Sequence, residues 1–421
     1  MVRLLLVFWF SGAAWAMADE GPAARVVATG RENGTLEALD QLMQSFLHDN
    51  ELPGAALAVA RGGRLVYSRG FGYADVDRRI PVRPDSLFRI ASVSKPITAV
   101  TTMRLVDEGK LSLEDRVFEI LPHRQTQNRE KWADPRLGRI TVRHLLQHRG
   151  GWDRRRSFDP MFHSLAIAFW LGQRPPAEAD DVVRFMLGRT LDYDPGRQSV
   201  YSNFGYCVLG RVIEQVTDQS YERSVQQSLM RPLGIDSMRI GKTLPEGRAE
   251  KEVKYYTRDK GMGLGVVGNT LLRKVPRPYG AWYLEAMDAH GGWLGSVVDL
   301  VRFGSALETA ESRVLSQASR AEMLARPVDN TEPGGKEQET YYGLGWRVRD
   351  IDGEHKNFWH AGSLPGTSSL LVVRHDGFSW AVLFNSRDMP SGGTPVAKID
   401  ALIHRAVNSV EHWPDYDLFS K

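Results

Sequence analysis

Phe88-Arg89-Ile90-Ala91-Ser92-Val93-Ser94-Lys95-Pro96 is the stretch on which the reading of this chain turns. A strand-like approach over 86–91 runs into Ser92, and apolar residues then recur at Ile97, Val100, Met103, Leu105 and Val106 until Gly109. That spacing predicts a helix, and Pro96 suits its first turn, where a missing N–H costs nothing. Ser92 therefore sits at or beside a helix N-terminus. Residues three apart share a helix face, so the Ser92 hydroxyl and the Lys95 amine can meet beside backbone N–H groups that the helix leaves unused. A serine hydroxyl is a weak nucleophile that needs a neighbouring base, and a lysine serves once burial or positive potential lowers its pKa. Ser-x-x-Lys alone is common by chance; its place between a strand-like approach and a helix start gives it weight.

Two further segments carry chemistry. Tyr201-Ser202-Asn203 follows Pro195-Gly196 and precedes an apolar helical run. A tyrosine at a loop end can pass a proton between nucleophile and leaving group if cations lower its pKa, and an asparagine two residues on points the same way in an extended segment. The plainer reading is a turn tyrosine followed by a helix-capping asparagine. His360-Ala361-Gly362-Ser363 ends a strand-like run before Pro365-Gly366. A strand edge beside the nucleophile can present backbone N–H groups to an anionic intermediate.

Working outward, 35–50 reads as an amphipathic helix, and 55–60 with 64–69 as a hairpin about Gly62-Gly63. Helices are predicted over 142–147, 179–187, 204–216 and 221–230, and irregular chain over the Gly- and Lys-rich 240–280. A turn and helix follow over 292–306. Four strand-like runs come next, 343–349, 357–361, 368–374 and 380–385, with turn signals at Asp352-Gly353 and Asp376-Gly377, and a helix over 394–407 closes the pattern. Strands at both ends with helices between them predict an α+β architecture: one antiparallel sheet flanked by helices, formed from both ends of the chain, with an inserted all-helical subdomain.

The chain has 421 residues, 42% hydrophobic and 25% charged, which is an ordinary globular composition. A net charge of +3 argues against a nucleic-acid partner. The single cysteine, Cys207, permits no internal disulfide and reads as a buried apolar residue. Residues 1–18 read as an export signal, with Arg3, the apolar 4–10, and small residues at Ala14, Ala16 and Ala18; an uncleaved anchor is the alternative. Residues 19–421 then form one catalytic domain, with an α/β part over about 34–91 and 291–410 and a helical part over about 92–290. No stable membrane span is expected after cleavage. His144 and His148 are four apart but lack the His-Glu-x-x-His pattern and a third ligand, so they read as packing residues; no metal and no cofactor are expected. Trp282, Trp293, Trp346 and Trp359 read as cleft lining or as core. Arg154-Arg155-Arg156 reads as an attractor of acidic substrates or, more plainly, as a solvated loop.

Taken together and in this order, the three motifs resemble those of the serine β-lactamases, the penicillin-binding proteins and their esterase and peptidase relatives. The resemblance is nearest to the branch with a Tyr-x-Asn second motif, which includes class C β-lactamases, D-alanyl-D-alanine peptidases and certain carboxylesterases. It extends to His144-Leu145-Leu146-Gln147-His148, Met230-Arg231-Pro232-Leu233-Gly234 and Gly291-Gly292-Trp293-Leu294. It implies that Ser92 forms an acyl-enzyme, that Lys95 deprotonates Ser92 or tunes Tyr201, and that Tyr201 protonates the leaving group and later activates water. It further implies an oxyanion hole from the N–H groups of Ser92 and Ser363. Asn203 would bind the substrate amide and Lys95, and His360, Gly362 and Ser363 would line the substrate. His360 departs from the pattern, standing where many β-lactamases carry lysine, and Ala361 lacks a hydroxyl. The expectation is an exported hydrolase, periplasmic or extracellular, that acts on a small-molecule or short-peptide ester or amide and handles an ester better than a cephalosporin. The alternative is a catalytically idle module that binds peptide or peptidoglycan fragments.

Overall fold

The computed structural model describes residues 26–121, 133–308, 314–328 and 339–420, so the expected export signal lies outside the described residues. Strand β1 (Ala28–Gly30) and helix α1 (Glu37–Asp49) come first, followed by β2 (Gly54–Arg61) and β3 (Arg64–Asp75). Gly62 and Gly63 join the last two at φ +55 and +75, a left-handed turn that glycine adopts without a Cβ clash. After β4 (Ile80–Pro81), the two-residue β5 (Phe88–Arg89) leads into the Ser92 turn and helix α2 (Ser94–Asp107).

The inserted region is mainly helical. It includes α3 (Val142–Leu146), α4 (Ala179–Leu187) and α5 (Asn203–Thr217), and a helix over Tyr221–Val225 that continues as a π turn over Gln226–Met230. The stretch expected to be irregular holds three short strands, β6 (Arg239–Ile240), β7 (Met262–Leu264) and β8 (Lys274–Pro276), of which the last two pair as a hairpin. The expected turn at 292 is instead β9 (Trp293–Gly295), which joins β5 and β6 in a small sheet before α6 (Val297–Ser305). A three-residue strand buried on all sides has no room for a periodic signature, so nothing in the sequence marks it.

The chain ends with β10 (Thr340–Tyr342), β11 (Arg347–Asp350), β12 (Lys356–Leu364), β13 (Thr367–Val373), β14 (Phe378–Phe384) and α7 (Pro395–Ser409). The main sheet runs β1-β3-β2-β14-β13-β12-β11-β10, with β4 beside β3. It is antiparallel throughout, and its middle is where β2 from one end of the chain pairs with β14 from the other. Both faces are covered. Leu57, Val59, Trp380, Val382 and Phe384 pack under α1 and α7, while Ala56, Ala58, Ala60, Ala381 and Leu383 face the larger core on α6 and the helical region. Double coverage explains why these strands read as nearly continuous apolar runs rather than alternating ones. A buried ion pair, Arg69–Asp40 at 2.5 Å, and the Tyr67 hydroxyl donating to Asp40 at 2.7 Å fasten α1 to β3. Among the described residues no helix is long and apolar enough to cross a membrane.

Candidate active site

The Ser92 turn is held from three sides. The Ile90 N–H donates to the Trp293 carbonyl at 3.0 Å. From β13, the Thr367 hydroxyl donates to the Arg89 carbonyl at 2.8 Å and the Ser369 hydroxyl to the Ile90 carbonyl at 2.6 Å. These tethers bracket Ala91, whose φ of +47 is disfavoured for a residue with a Cβ. Such a conformation costs on the order of 1–3 kcal/mol and persists only where surrounding contacts over-determine it. Its effect is a sharp bend that sets Ser92 on a short 3-10 turn, Ala91–Val93, at the mouth of α2.

Lys95 follows one turn later and is wholly buried. Its Nζ lies 3.2 Å from Ser92 Oγ, 2.8 Å from Asn203 Oδ1 and 2.9 Å from the His290 carbonyl. Burial pushes the ammonium well below its usual pKa; the Asp159 charge pulls it back up and Arg154 pushes it further down. Asn203 Oδ1 and the His290 carbonyl can only accept, so once the amine has given up a proton they take its two remaining N–H bonds and its lone pair is left for the Ser92 hydroxyl.

Asn203 is free to do this because Ser202 caps α5, its hydroxyl accepting from the Gly205 N–H at 3.2 Å. The plainer expectation, Asn203 as the cap, is thus replaced by its neighbour. The Asn203 amide is oriented at its other end by Asp159 Oδ2, which accepts from Nδ2 at 2.7 Å. Asp159 escapes sequence reading: Asp-Pro marks only a turn, and nothing in the pattern links position 159 to 203.

Tyr201 is pinned through His148. The His148 carbonyl accepts from the Val200 N–H at 2.8 Å and its Nδ1 from the Ser202 N–H at 3.2 Å, so both neighbours of Tyr201 hang from one residue. The two rings pack with centroids 4.4 Å apart. His148 itself has φ +58, another non-glycine in the left-handed region. Burial raises the Tyr201 phenol above its usual 10, although the Ser92 hydroxyl, Arg154 and Arg347 oppose this and Asp159 adds to it. The sequence-based condition that cations lower this phenol is therefore outweighed by desolvation. The Lys95 amine is pushed down and the Tyr201 phenol up, which separates a base from an acid.

The third motif divides between two faces of β12. Ala361 and Ser363 are exposed toward the cleft, while His360, Gly362 and Leu364 are buried. The His360 imidazole does not line the cleft. Its Nδ1–H donates to the Ala361 carbonyl at 2.8 Å, and its Nε2 accepts from the Tyr342 hydroxyl at 3.0 Å. Burial, with Lys95 and Arg347 nearby, holds His360 down at about 3, so the ring stays neutral across the physiological range. Strand β11 pairs with β12 only as far as Trp359, which leaves the β12 edge beyond it facing the Ser92 turn. Gly362 allows that approach, since a Cβ there would lie 2.3 Å from the Ile90 carbonyl and 2.9 Å from the Ser92 nitrogen. Gly362→Ala is expected to push the strand off the turn and lower kcat/KM about 100-fold, the cost typical of a 1 Å misplacement, in the ester assay described below.

Ser92, Tyr201, Asn203, Gly362 and Ser363 all line one cleft of about 250 Å³. Lys95 lies beneath its floor and His360 behind its strand wall. Trp282, Trp293 and Trp346 are buried core residues, and Trp359 lies outside the cleft. Trp152 packs edge-on to Phe204 at 4.7 Å. His144 and His148 part company, His144 closing the N-terminus of α3 while His148 holds the Tyr201 segment. Cys207 is buried, and desolvation raises its thiol. A larger groove of about 910 Å³ passes Asp85, Lys251 and Asp299, but its serines Ser237 and Ser296 donate to Asp299, a helix-capping carboxylate, and the Lys251 amine there is paired with Asp85.

The family model of the beta-lactamases matches residues 39–404, from α1 into α7. The chain belongs to the beta-lactamase family. Within it, Penicillin-binding protein 4* of Bacillus subtilis (strain 168) is 28% identical over 339 residues, covering 79% of this chain and 68% of that protein. Protein flp of Staphylococcus aureus (strain COL) is 26% identical over 239 residues, 56% of this chain and 43% of that one. The octameric penicillin-binding protein homologue from Pyrococcus abyssi superimposes with a TM-score of 0.64 at 25% identity, covering 87% of this chain and 77% of the other. The D-amino acid amidase of Ochrobactrum anthropi SV3 reaches 0.68 at 22% identity, covering 90% and 99%, a likeness of fold. As a member of the beta-lactamase family, the chain has serine hydrolysis as its general chemistry.

Proposed function

We propose that this protein hydrolyses an ester or amide through an acyl-enzyme on Ser92. The observation that carries the reading is the environment of Lys95, a wholly buried amine whose Nζ lies 3.2 Å from Ser92 Oγ and is held there by the Asn203 Oδ1 and His290 carbonyl acceptors. Lys95 accepts the Ser92 proton as Oγ attacks the substrate carbonyl. The N–H groups of Ser92 and Ser363 stabilise the oxyanion, a contribution of about 3–4 kcal/mol per donor in well-studied cases. Tyr201, kept protonated by burial, donates to the departing oxygen or nitrogen and in its anionic form then accepts a proton from the attacking water, while Lys95 returns its proton to Ser92 Oγ as the acyl bond breaks. Asn203, fixed by Asp159, holds Lys95 and the substrate amide. Residues 1–18 direct export, which places the reaction in the periplasm or outside the cell.

A fluorophosphonate probe tests the nucleophile: wild type is expected to label and Ser92→Ala to remain unlabelled. Absence of labelling in both would favour an idle peptide-binding module. With p-nitrophenyl butyrate, a chromogenic cephalosporin and a D-alanyl dipeptide run in parallel, the ester is expected to be turned over faster than the cephalosporin. The reason is that His360 is neutral and turned away, so β12 presents no charged side chain to the cleft at the place where many β-lactamases carry a lysine. A cephalosporin rate well above the ester rate would contradict that assignment.

A further inference from the structure

The cleft has an electrostatic asymmetry that the hydrolytic mechanism does not use. Among the described residues that line it, Arg154 carries the one formal charge; the others are neutral side chains or the β12 backbone. Arg154 is half-exposed, with a side-chain exposure of 50%, and its guanidinium lies over the Tyr201 ring, 5.3 Å from the centroid. Among the described residues its ion-pair partner is Asp159, at 3.9 Å. That carboxylate already accepts from the Asn203 amide at 2.7 Å and from the Met161 N–H at 3.3 Å. A guanidinium presents five N–H donors in a rigid fork, and one long contact leaves most of them for a ligand. Arg347 adds positive potential at Tyr201 and His360, with Asp159 the carboxylate opposing it at Tyr201. The neighbouring arginines do not share the position: neither Arg155 nor Arg156 lines the cleft, and Arg156 lies over the Tyr193 ring at 5.0 Å.

We propose that Arg154 is a specificity residue that binds a carboxylate, or a like anionic group, carried by the ester or amide substrate. Its place over the Tyr201 ring and the ion pair with Asp159 hold the guanidinium at the cleft, and the long Asp159 contact leaves its donors for a ligand. This rests on the Ser92 reading above and adds to it a preference, within a matched series of esters or amides, for the anionic member over its neutral counterpart. A charge-assisted hydrogen bond at a half-exposed site supports discrimination of about tenfold.

The test compares matched esters that differ by one charge. Mono-p-nitrophenyl adipate against its methyl diester places the anion on the acyl side; 3-acetoxybenzoate against its methyl ester places it on the leaving group. Wild type is expected to prefer the anionic member of at least one pair in kcat/KM. That preference should weaken as salt is raised. In Arg154→Gln the anionic-to-neutral ratio is expected to fall about tenfold, mainly through KM, and Arg154→Lys should restore part of it. No anionic preference in either pair, or a preference that Arg154→Gln leaves intact, overturns the proposal. Should Arg154→Gln fail to fold, the wild-type ratio and its salt dependence decide alone. Loss of all Ser92-dependent turnover would sink the hydrolase reading itself, whereas good turnover of the neutral esters without anion preference sinks this inference only.

Discussion

Lys95→Met is expected to lower kcat/KM for p-nitrophenyl butyrate by about four orders of magnitude while the protein stays folded. General-base catalysis typically contributes 10²–10⁴-fold, and groups that act as a unit with a nucleophile reach the upper end or beyond. Methionine nearly matches the lysine stem in length and fills the same buried space, so the substitution removes the amine without opening a large cavity. It leaves Asn203 Oδ1 and the His290 carbonyl without their donor, at about 1–3 kcal/mol each. Removing the desolvation penalty that drives the Lys95 pKa down offsets part of that loss. Circular dichroism should therefore report an intact fold at the temperature of the assay.

The pH profile gives the same prediction a second readout. Only the unprotonated amine has a lone pair, so the rate must rise with pH as Lys95 loses its proton. Because the folded pKa is lowered well below 10.5, that rising limb lies well below 10.5. Asp159 draws the limb toward higher pH and Arg154 toward lower. His360, held at about 3, contributes no limb near the ordinary histidine value. The residual rate of Lys95→Met should lose the limb altogether. Activity within about tenfold of wild type would remove the amine from the chemistry, since no general base of this kind is worth so little.

What could be read from the sequence follows from how locally each feature is encoded. The Ser92–Lys95 contact is a helix-face relation, i to i+3, and so is legible in the sequence. The β2–β3 hairpin and the β13–β14 turn are written in Gly62-Gly63 and Asp376-Gly377, where the backbone needs positive φ. Tyr201 and Asn203 were accessible as a motif, but the reason Asn203 points at Lys95 was not, because it depends on Ser202 taking the cap and on Asp159, 44 residues away. Burial reversed one expectation: cations do act on Tyr201, yet desolvation outweighs them. Distance reversed the simplest view of His360, whose neighbour Tyr342 draws the imidazole behind the strand. Arg154 looked like one of three equivalent loop arginines until the fold set it alone at the cleft. In each case the missing information is a contact between residues far apart in the chain, which no local pattern records.

The largest stability effect is expected at Arg89, three residues before the nucleophile. Its side chain is 2% exposed and ties together loops far apart in the chain. One guanidinium nitrogen donates to the Pro278 carbonyl at 2.5 Å and another to the Lys242 carbonyl at 2.9 Å. The group lies 4.5 Å from the Tyr255 ring centroid and faces Glu252, whose carboxylate is 1% exposed, at 3.8 Å. Burial raises the Glu252 pKa, and Arg89 is the first of the groups that hold it down. Arg89→Met therefore removes the cation facing a buried carboxylate, which keeps the Ala249 N–H and Tyr255 hydroxyl as donors, and leaves two carbonyls without theirs; the expected loss is about 3–5 kcal/mol in urea unfolding, the range for a broken buried ion pair. Arg89→Lys should not restore it, because a single ammonium cannot reach both carbonyls and stack on Tyr255. The double variant Arg89→Met with Glu252→Gln should be more stable than Arg89→Met alone, since it removes the uncompensated charge. A loss below about 1 kcal/mol in Arg89→Met would place it among ordinary surface substitutions and contradict this account. The argument also joins stability to chemistry. The Arg89 carbonyl accepts from Thr367, and Ile90 and the strained Ala91 follow directly, so slackening this knot should lower ester turnover before the protein unfolds.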